Sequence, residues 1–175
     1  MPFPSKVIAN EFLELARRDG QDVTPMKLQK LVYLAHGWHL ALTGQPLLEE
    51  RIEAWQFGPV IPALYRDFKR FGSGPVREMA SAIALSSAGI ARFHYPKLAD
   101  YAQTDDVVFA RKLIERIWQV YGEFSAVKLS NASHQAGTPW AQVYREGQQS
   151  IAIPDELIAD YFKQFVHDEP AAAAR

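Results

Sequence analysis

The chain has 175 residues, of which 48% are apolar and 22% are charged, and its 19 basic and 20 acidic residues give a formal net charge of −1. These values are typical of a globular protein and argue against a disordered chain or a strongly basic nucleic-acid-binding domain. The absence of cysteine excludes disulfides and thiolate metal sites. The sequence contains neither an apolar signal core nor a membrane-length apolar run, so we expect a cytoplasmic protein that does not span a membrane.

The first 45 residues predict two helices. Ser5 is the candidate cap of the first helix. Thr24 followed by Pro25 is a stronger start signal for the second, which runs to about Gly44. This second helix is apolar on nearly all sides, so we expect it to be central, with Gly37 against a closely packed neighbour. Its predicted core stripe consists of Leu28, Leu31, Val32, Ala35, His39 and Leu42.

The next segment changes to a sequence that favours strands. Residues 52–57 predict a strand or hairpin that is closed by a turn at Gly58 and Pro59. A helix with one apolar face follows at residues 61–71, and a second candidate strand lies at residues 92–96.

The last 70 residues predict four helices and a loose end. The start signals of these helices are, in order, Asp105, Ser125, Thr138 with Pro139, and Pro154. The whole pattern predicts an α+β fold, with one helix-dominated domain of six to seven helices over residues 1–168. Its small antiparallel sheet would form around residues 47–57 and 92–96, and residues 169–175 would be a flexible tail.

No residue pattern predicts a catalytic, cofactor or metal site. His36 and His39 have a helical spacing of three, but no third ligand accompanies them. The Gly-Ser-Gly segment at 72–74 follows a helix and lacks the Gly-Lys-Ser/Thr ending of a phosphate loop. Serine, histidine and aspartate all occur without a nucleophile elbow. We therefore expect a protein that is not an enzyme, and a hydrolase or metal-dependent enzyme is the weakest hypothesis.

Residues 125–145 have the outline of a helix-turn-helix. A DNA reader needs polar or basic residues early on its second helix. Here that helix opens with Pro139 and Trp140, and its only cation is Arg145. Nucleic acid is therefore an unfavoured partner, and a DNA-binding regulator that uses residues 125–145 is kept as the alternative function.

Aromatic and basic side chains provide a candidate surface for a protein partner. Tryptophan, tyrosine and arginine are common interface anchors, although aromatic residues more often belong to the core. Basic side chains beside them would steer an acidic partner. The candidate partner-binding residues are Trp55, Phe57, Tyr65, Lys69, Arg70 and Trp140.

Two ordered blocks of sequence resemble the Panacea domain. The first contains Lys-Leu-Gln-Lys-Leu-Val-Tyr from Lys27 and Glu-Ala-Trp-Gln-Phe-Gly-Pro-Val from Glu53. The second is Leu-Ser-Asn-Ala-Ser-His at 129–134, in which Ser133 replaces a more usual threonine, followed by Gly-Thr-Pro-Trp at 137–140. The resemblance covers about residues 5–150. It implies a structural role for the motif residues Lys27, Leu28, Lys30, Tyr33, Gly58, Pro59, His134 and Pro139.

The Panacea family contains SocA-type antitoxins and phage-associated GepA-like proteins. The resemblance implies a mostly helical, non-catalytic domain that binds and neutralises a cognate protein toxin encoded beside it in a bacterium or phage. In the SocA-type branch, which this chain resembles most, the antitoxin acts as an adaptor that delivers its toxin to a ClpXP-type AAA+ protease. The stretch 76–104 matches no family pattern and is a candidate for a partner-specific surface. The toxin and the oligomeric state are left open.

Overall fold

The structure, a computed structural model, describes residues 1–85, 89–148 and 150–166. The helices within these ranges are α1 (Ser5–Arg18), α2 (Pro25–Thr43), α3 (Pro62–Phe68), α4 (Asp105–Tyr121), α5 (Ala126–Ser133), α6 (Pro139–Val143) and α7 (Asp155–Lys163). The strands are β1 (Ile52–Trp55), β2 (Gly58–Val60), β3 (Ala82–Leu85), β4 (Ala91–His94) and β5 (Ile151–Ile153), and two 3-10 turns are Lys69–Phe71 and Leu98–Asp100. The predicted helix-dominated α+β class is confirmed.

The helix α2 lies at the centre of the molecule, as its all-round apolar surface predicts. It packs against α1, α4, α5 and α7, and the Thr24 hydroxyl caps it by accepting from the Lys27 amide at 3.3 Å. A β-carbon on Gly37 would overlap with the ring of Phe162, so the predicted close neighbour is α7. Leu42 is exposed, and its predicted place in the core stripe is wrong because the helix leaves the core in its last turn.

Two of the predicted helix starts are shifted by one residue. Ser5 does not cap α1, because it is the first helical residue and Pro4 holds the cap position. Its amide and hydroxyl instead both donate to the carboxylate of Glu50 at 2.8 Å. Likewise Asp105 is the first residue of α4, and Thr104 precedes it as the cap.

The other predicted caps are confirmed. The Ser125 hydroxyl accepts from the Lys128 amide at 3.1 Å, and the Thr138 hydroxyl accepts from the Ala141 amide at 3.2 Å. Pro154 occupies the cap position of α7.

The main sheet has three antiparallel strands in the order β2-β1-β5. Strands β1 and β2, joined by a turn at Gln56 and Phe57, form what we call the first hairpin, residues 52–60. Gly58 and Pro59 belong to β2, so their prediction as the turn is wrong. The third strand, β5, was not predicted; it pairs with β1 through Ile52 and Ile153.

Strands β3 and β4 pair only with each other among the described residues, and we call residues 82–85 and 89–94 the second hairpin. The prediction that residues 92–96 join the sheet of residues 47–57 is therefore wrong. The segments leading into the second hairpin are held by the buried Asn10 of α1. Its amide nitrogen donates to the carbonyls of Ala80 (2.9 Å) and Pro96 (3.0 Å), and its oxygen accepts from the Ala80 amide at 2.8 Å.

The described helices and the main sheet share one hydrophobic core, in which Phe3, Phe12, Tyr121 and Phe162 are among the largest fully buried side chains. No helix in the described ranges is long and apolar enough to cross a lipid bilayer. The predicted flexible tail, residues 169–175, lies outside the described residues.

Candidate functional site

The first hairpin presents aromatic side chains at the surface. Trp55, at the end of β1, contacts Tyr65 of α3 edge to face, with ring centroids 4.9 Å apart. Phe57 occupies the turn and is 60% exposed, and Tyr65 is also exposed. The structure thus places Trp55 and Tyr65 in contact, with Phe57 two residues further along the same hairpin.

Side chains from three helices hold the backbone of the first hairpin. Four of its carbonyl oxygens each face a side-chain nitrogen or hydroxyl. Three of these side chains belong to α2, α5 and α6, and the fourth belongs to the residue that follows α5. The pairs are Trp140 Nε1 with Trp55 (2.7 Å), His134 Nε2 with Gln56 (3.1 Å), Ser130 Oγ with Phe57 (3.1 Å) and Lys30 Nζ with Pro59 (3.0 Å). We call Lys30, Ser130, His134 and Trp140 the anchoring side chains. Because they fix successive peptide units, the exposed ring of Phe57 is presented on a constrained turn.

Gly58 lies where Lys30 and Ser133 approach the backbone closely. Its φ of +100° falls in a region that favours glycine. A β-carbon at this position would lie 2.5 Å from the Ser133 hydroxyl and 2.6 Å from Lys30 Nζ. Only glycine therefore fits here. Further along, the Gln29 side chain bonds both the amide (2.9 Å) and the carbonyl (3.1 Å) of Ile61.

Lys30 is the most unusual of the anchoring side chains because it is 2% exposed. Its ammonium donates to the Pro59 carbonyl, and no carboxylate forms an ion pair with it in the described part of the chain. Burial lowers the pKa of Lys30 from its ordinary value of 10.5 to about 7. At neutral pH, Lys30 is therefore held near the midpoint of its titration.

The remaining motif residues lie inside the fold. Lys27 donates to the Gly122 carbonyl and lies 5.6 Å from the Trp118 ring, and burial lowers its pKa. Leu28, Tyr33 and Pro139 are buried, and burial raises the pKa of Tyr33. Both ring nitrogens of His134 face backbone carbonyls. Nε2 faces the carbonyl of Gln56, and Nδ1 lies 2.5 Å from the carbonyl of Ser130. These contacts are of the kind that a structural role requires.

The predicted basic residues lie beyond Tyr65 on the same stretch of chain. Lys69 and Arg70 are exposed in the 3-10 turn that follows α3. Arg70 forms an ion pair with Glu78 at 2.6 Å and lies 4.9 Å from the ring of Phe71. Lys69 has no ion pair within the described ranges and so offers the freer charge.

Two clefts flank Trp55. A cleft of about 360 Å³ lies on the side of Gln56 and Tyr144, and one of about 470 Å³ lies on the side of Tyr65 and Arg66. Sequence reasoning missed the buried Glu53 in the second cleft, whose carboxylate accepts from the Trp55 indole at 2.9 Å. It also missed the bond of Ser130 to the first hairpin and those of Gln29 to Ile61, although both residues lie within the motif blocks. The half-buried Trp140 supports this surface from behind, with its ring stacked on Tyr144.

The two histidines of α2 bind protein groups. His36 Nε2 lies 3.0 Å from the Asp155 carboxylate, and its Nδ1 accepts from the Leu48 amide at 3.3 Å. His39 Nδ1 lies 2.7 Å from the Gln45 carbonyl. Among the described residues, no group of three or more histidine, aspartate or glutamate side chains could hold a metal ion.

The proposed recognition helix of the DNA-binding alternative is α6, which has five residues. Its first two residues, Pro139 and Trp140, are buried and half-buried, and Trp140 donates to the first hairpin. The side chain of Arg145 donates to the carbonyls of Gln142 and Tyr144.

Comparison with known proteins assigns this arrangement to a family. A family model described as "Antitoxin SocA-like, Panacea domain" matches residues 28–141. The chain belongs to the SocA-like Panacea family. It is also 32% identical over 164 residues to Antitoxin SocA of Caulobacter vibrioides, an alignment that covers 91% of this chain and 82% of that protein. No solved structure matches the chain. The Panacea match includes both hairpins and all four anchoring side chains, and the predicted resemblance is confirmed.

Proposed function

We propose that this protein is an antitoxin that binds and neutralises a protein toxin encoded beside it in the cytoplasm of its host. Membership of the SocA-like Panacea family and 32% identity to an antitoxin support this role. The protein acts by binding and not by catalysis. A helix-dominated fold with an exposed phenylalanine on a fixed turn suits such a role.

The binding surface that we propose consists of Trp55, Phe57 and Tyr65, with Lys69 and Arg70 beside it. The observation that carries this assignment is the exposed Phe57 ring on a hairpin whose carbonyls are held by side chains. An exposed aromatic side chain on a pre-organised backbone loses little conformational entropy on binding, so more of its contact energy contributes to affinity. Trp140 contributes indirectly by holding Trp55.

The neutralised toxin is then delivered to a ClpXP-type AAA+ protease, with this protein as the adaptor. The resemblance to the SocA-type branch supports this second step. If it is right, a fluorescently tagged toxin should disappear faster when the antitoxin is co-expressed. That acceleration should be lost in a host without the protease, while growth rescue by simple masking would persist.

Co-expression with the product of the adjacent reading frame tests the binding step. We expect the two proteins to copurify and the growth defect to be relieved. Phe57→Ala and Tyr65→Ala should each weaken binding by about tenfold or more, as expected for interface anchors. Leu42→Ala, an exposed apolar residue on α2, is the matched control and should bind like the parent.

Circular dichroism and urea unfolding must accompany each variant. Folded Phe57→Ala and Tyr65→Ala proteins that bind normally would show that the surface is elsewhere. An adjacent product that is neither toxic nor copurified would remove the antitoxin proposal itself.

A further inference from the structure

The second hairpin carries an apolar face that no described residue covers. Ile83 pairs with Phe93 and Leu85 with Ala91, and because side chains alternate along a strand, these four residues share one face. Ile83, Leu85 and Phe93 are 63%, 73% and 76% exposed. Large apolar side chains grouped in this way are uncommon on a monomer and mark interaction sites.

The opposite face of the second hairpin is basic. It carries Arg92 and His94, which lie opposite Ala84 and Ala82, and Arg92 is the only formally charged residue between Glu78 and Lys97. Glu78 is already paired with Arg70. Within the described ranges Arg92 has no ion-pair partner. A carboxylate from another molecule could therefore form an ion pair with it.

The backbone of the second hairpin is also open to a partner. The sheet contains only β3 and β4 among the described residues, and the outer edge of each strand presents alternate amide and carbonyl groups without a ladder partner. An extended segment can add to such an edge by main-chain hydrogen bonds, while its side chains contact the two faces.

The attachment of the second hairpin links it to α3. Lys6 donates to the Ser81 carbonyl at 3.2 Å and lies 4.0 Å from the carboxylate of Asp67. Asp67 belongs to α3, the helix that carries Tyr65. The second hairpin is thus connected, through Lys6, to the helix that also carries Tyr65.

We propose that the second hairpin binds an extended, acidic segment of the toxin by strand addition. This inference rests on the proposed antitoxin function and identifies a second contact for the same partner. Apolar side chains of the segment cover Ile83, Leu85 and Phe93, and a carboxylate pairs with Arg92. A second copy of this chain fits less well, because its hairpin would bring another arginine and histidine and no carboxylate to the contact.

The test uses the full chain and the co-expressed product of the adjacent reading frame. Phe93→Ser and Arg92→Glu should each weaken binding of that product by about tenfold or more. Leu42→Ser and Lys112→Glu make comparable changes, from apolar to serine and from basic to glutamate, at exposed positions on α2 and α4, and each should change the affinity less than about twofold. Amide hydrogen exchange in residues 82–85 and 91–94 should slow in the complex, since strand addition protects edge amides.

Three results would overturn this inference, and each has a different meaning. Folded Phe93→Ser and Arg92→Glu proteins with the parental affinity, together with weakened binding by Phe57→Ala, would leave the toxin contact on the first hairpin alone. A parental dimer that Phe93→Ser converts to a monomer would make the second hairpin a self-association surface. A parent that binds no neighbouring product would remove the proposed function, and with it this contact.

Discussion

The first hairpin receives side-chain hydrogen bonds along its backbone, whereas in the described part of the chain the second receives them in the segments that lead into it. The anchoring side chains hold the carbonyls of Trp55, Gln56, Phe57 and Pro59. Asn10 and Lys6 instead hold Ala80, Ser81 and Pro96, just outside β3 and β4. The first hairpin is therefore held within its own strands and turn, and the second is held in its flanking segments.

This difference separates two ways of presenting apolar side chains. The first hairpin exposes Phe57 on a turn that the fold determines, so its geometry is set before a partner arrives. The second exposes Ile83, Leu85 and Phe93 on strands with open edges, so a partner can extend the sheet. If the protein has the proposed antitoxin function, a rigid contact and an extendable one would together contribute to specific recognition of its toxin.

Alanine substitution of one glycine in each hairpin should give the largest difference in the free energy of unfolding. Gly58 and Gly89 both have positive φ values, of +100° and +74°. A β-carbon on Gly58 would collide with Ser133 and Lys30, whereas one on Gly89 would meet nothing within 4 Å. We expect Gly58→Ala to destabilise the protein by about 3 kcal/mol or more, and Gly89→Ala by about 1 kcal/mol, from backbone strain alone.

Urea unfolding of the two glycine variants checks this expectation. Equal losses of stability would mean that the first hairpin can move away from α2 and α5, and would contradict the idea that its anchors are rigid.

The attachment of the first hairpin should also depend on pH, because Lys30 titrates and Asn10 does not. The pKa of Lys30 is about 7 when folded, against 10.5 for a free side chain. Below about pH 7 both states carry the proton, so this group adds no pH dependence. Between pH 7 and pH 10.5, Lys30 keeps its proton in the unfolded chain but has lost it in the folded chain. Stability should therefore rise with pH, by about 2 kcal/mol from pH 7 to pH 9.

Lys30→Met should remove this rise, although it leaves the Pro59 carbonyl without its donor. The measurement is the difference in the free energy of unfolding between parent and variant at pH 7, 8 and 9. Lys112→Met, at an exposed position, is the control and should keep the parental slope. A parent with the same slope as Lys30→Met would show that Lys30 reaches water in solution.

Removal of one hydrogen bond to the first hairpin and of one to the segment that leads into the second should give a smaller difference in stability. Trp140→Phe keeps a ring against Tyr144 but removes the N–H that donates to the Trp55 carbonyl at 2.7 Å. We expect a loss of about 1 kcal/mol. Lys6→Met removes the more exposed bond to Ser81 and should cost less than about 0.5 kcal/mol. Thermal unfolding measures both, and a larger loss for Lys6→Met would reverse the comparison.

Local signals allowed most helices to be predicted from the sequence. The pairing of strands that are distant in the sequence could not be predicted in this way. Thr24, Ser125 and Thr138 cap helices because a hydroxyl can reach an amide three residues later, which is a property of the local chain. Strand β5 has three residues and pairs with β1 about 100 residues earlier, so no local pattern reveals it. The turn of the first hairpin was misplaced because Gly-Pro resembles a turn signal, whereas Gly58 is required by the close approach of Lys30.

The candidate site was predictable as a set of residues but not as a set of contacts. The motif blocks identified Lys30, Gly58 and His134, and the structure brings all three to the first hairpin. Their partners are mostly backbone carbonyls, which every residue possesses, so the sequence could not indicate what they bind. The role of Asn10 was equally hidden, because a buried asparagine in α1 carries no sign of the segments at residues 80 and 96 that it joins.

The smallest effect is expected where the second hairpin is most exposed. Phe93→Thr replaces an exposed ring by a side chain that also favours strands, so the stability should change by less than about 0.5 kcal/mol. Phe57→Thr, at the exposed turn of the first hairpin, should be equally neutral, since the anchoring side chains bind its carbonyl and not its ring. Urea unfolding of both variants, each without a partner, makes the comparison. A loss above about 2 kcal/mol for Phe93→Thr would show that this ring packs on the protein in solution, and an apolar face that is already covered could not bind a toxin.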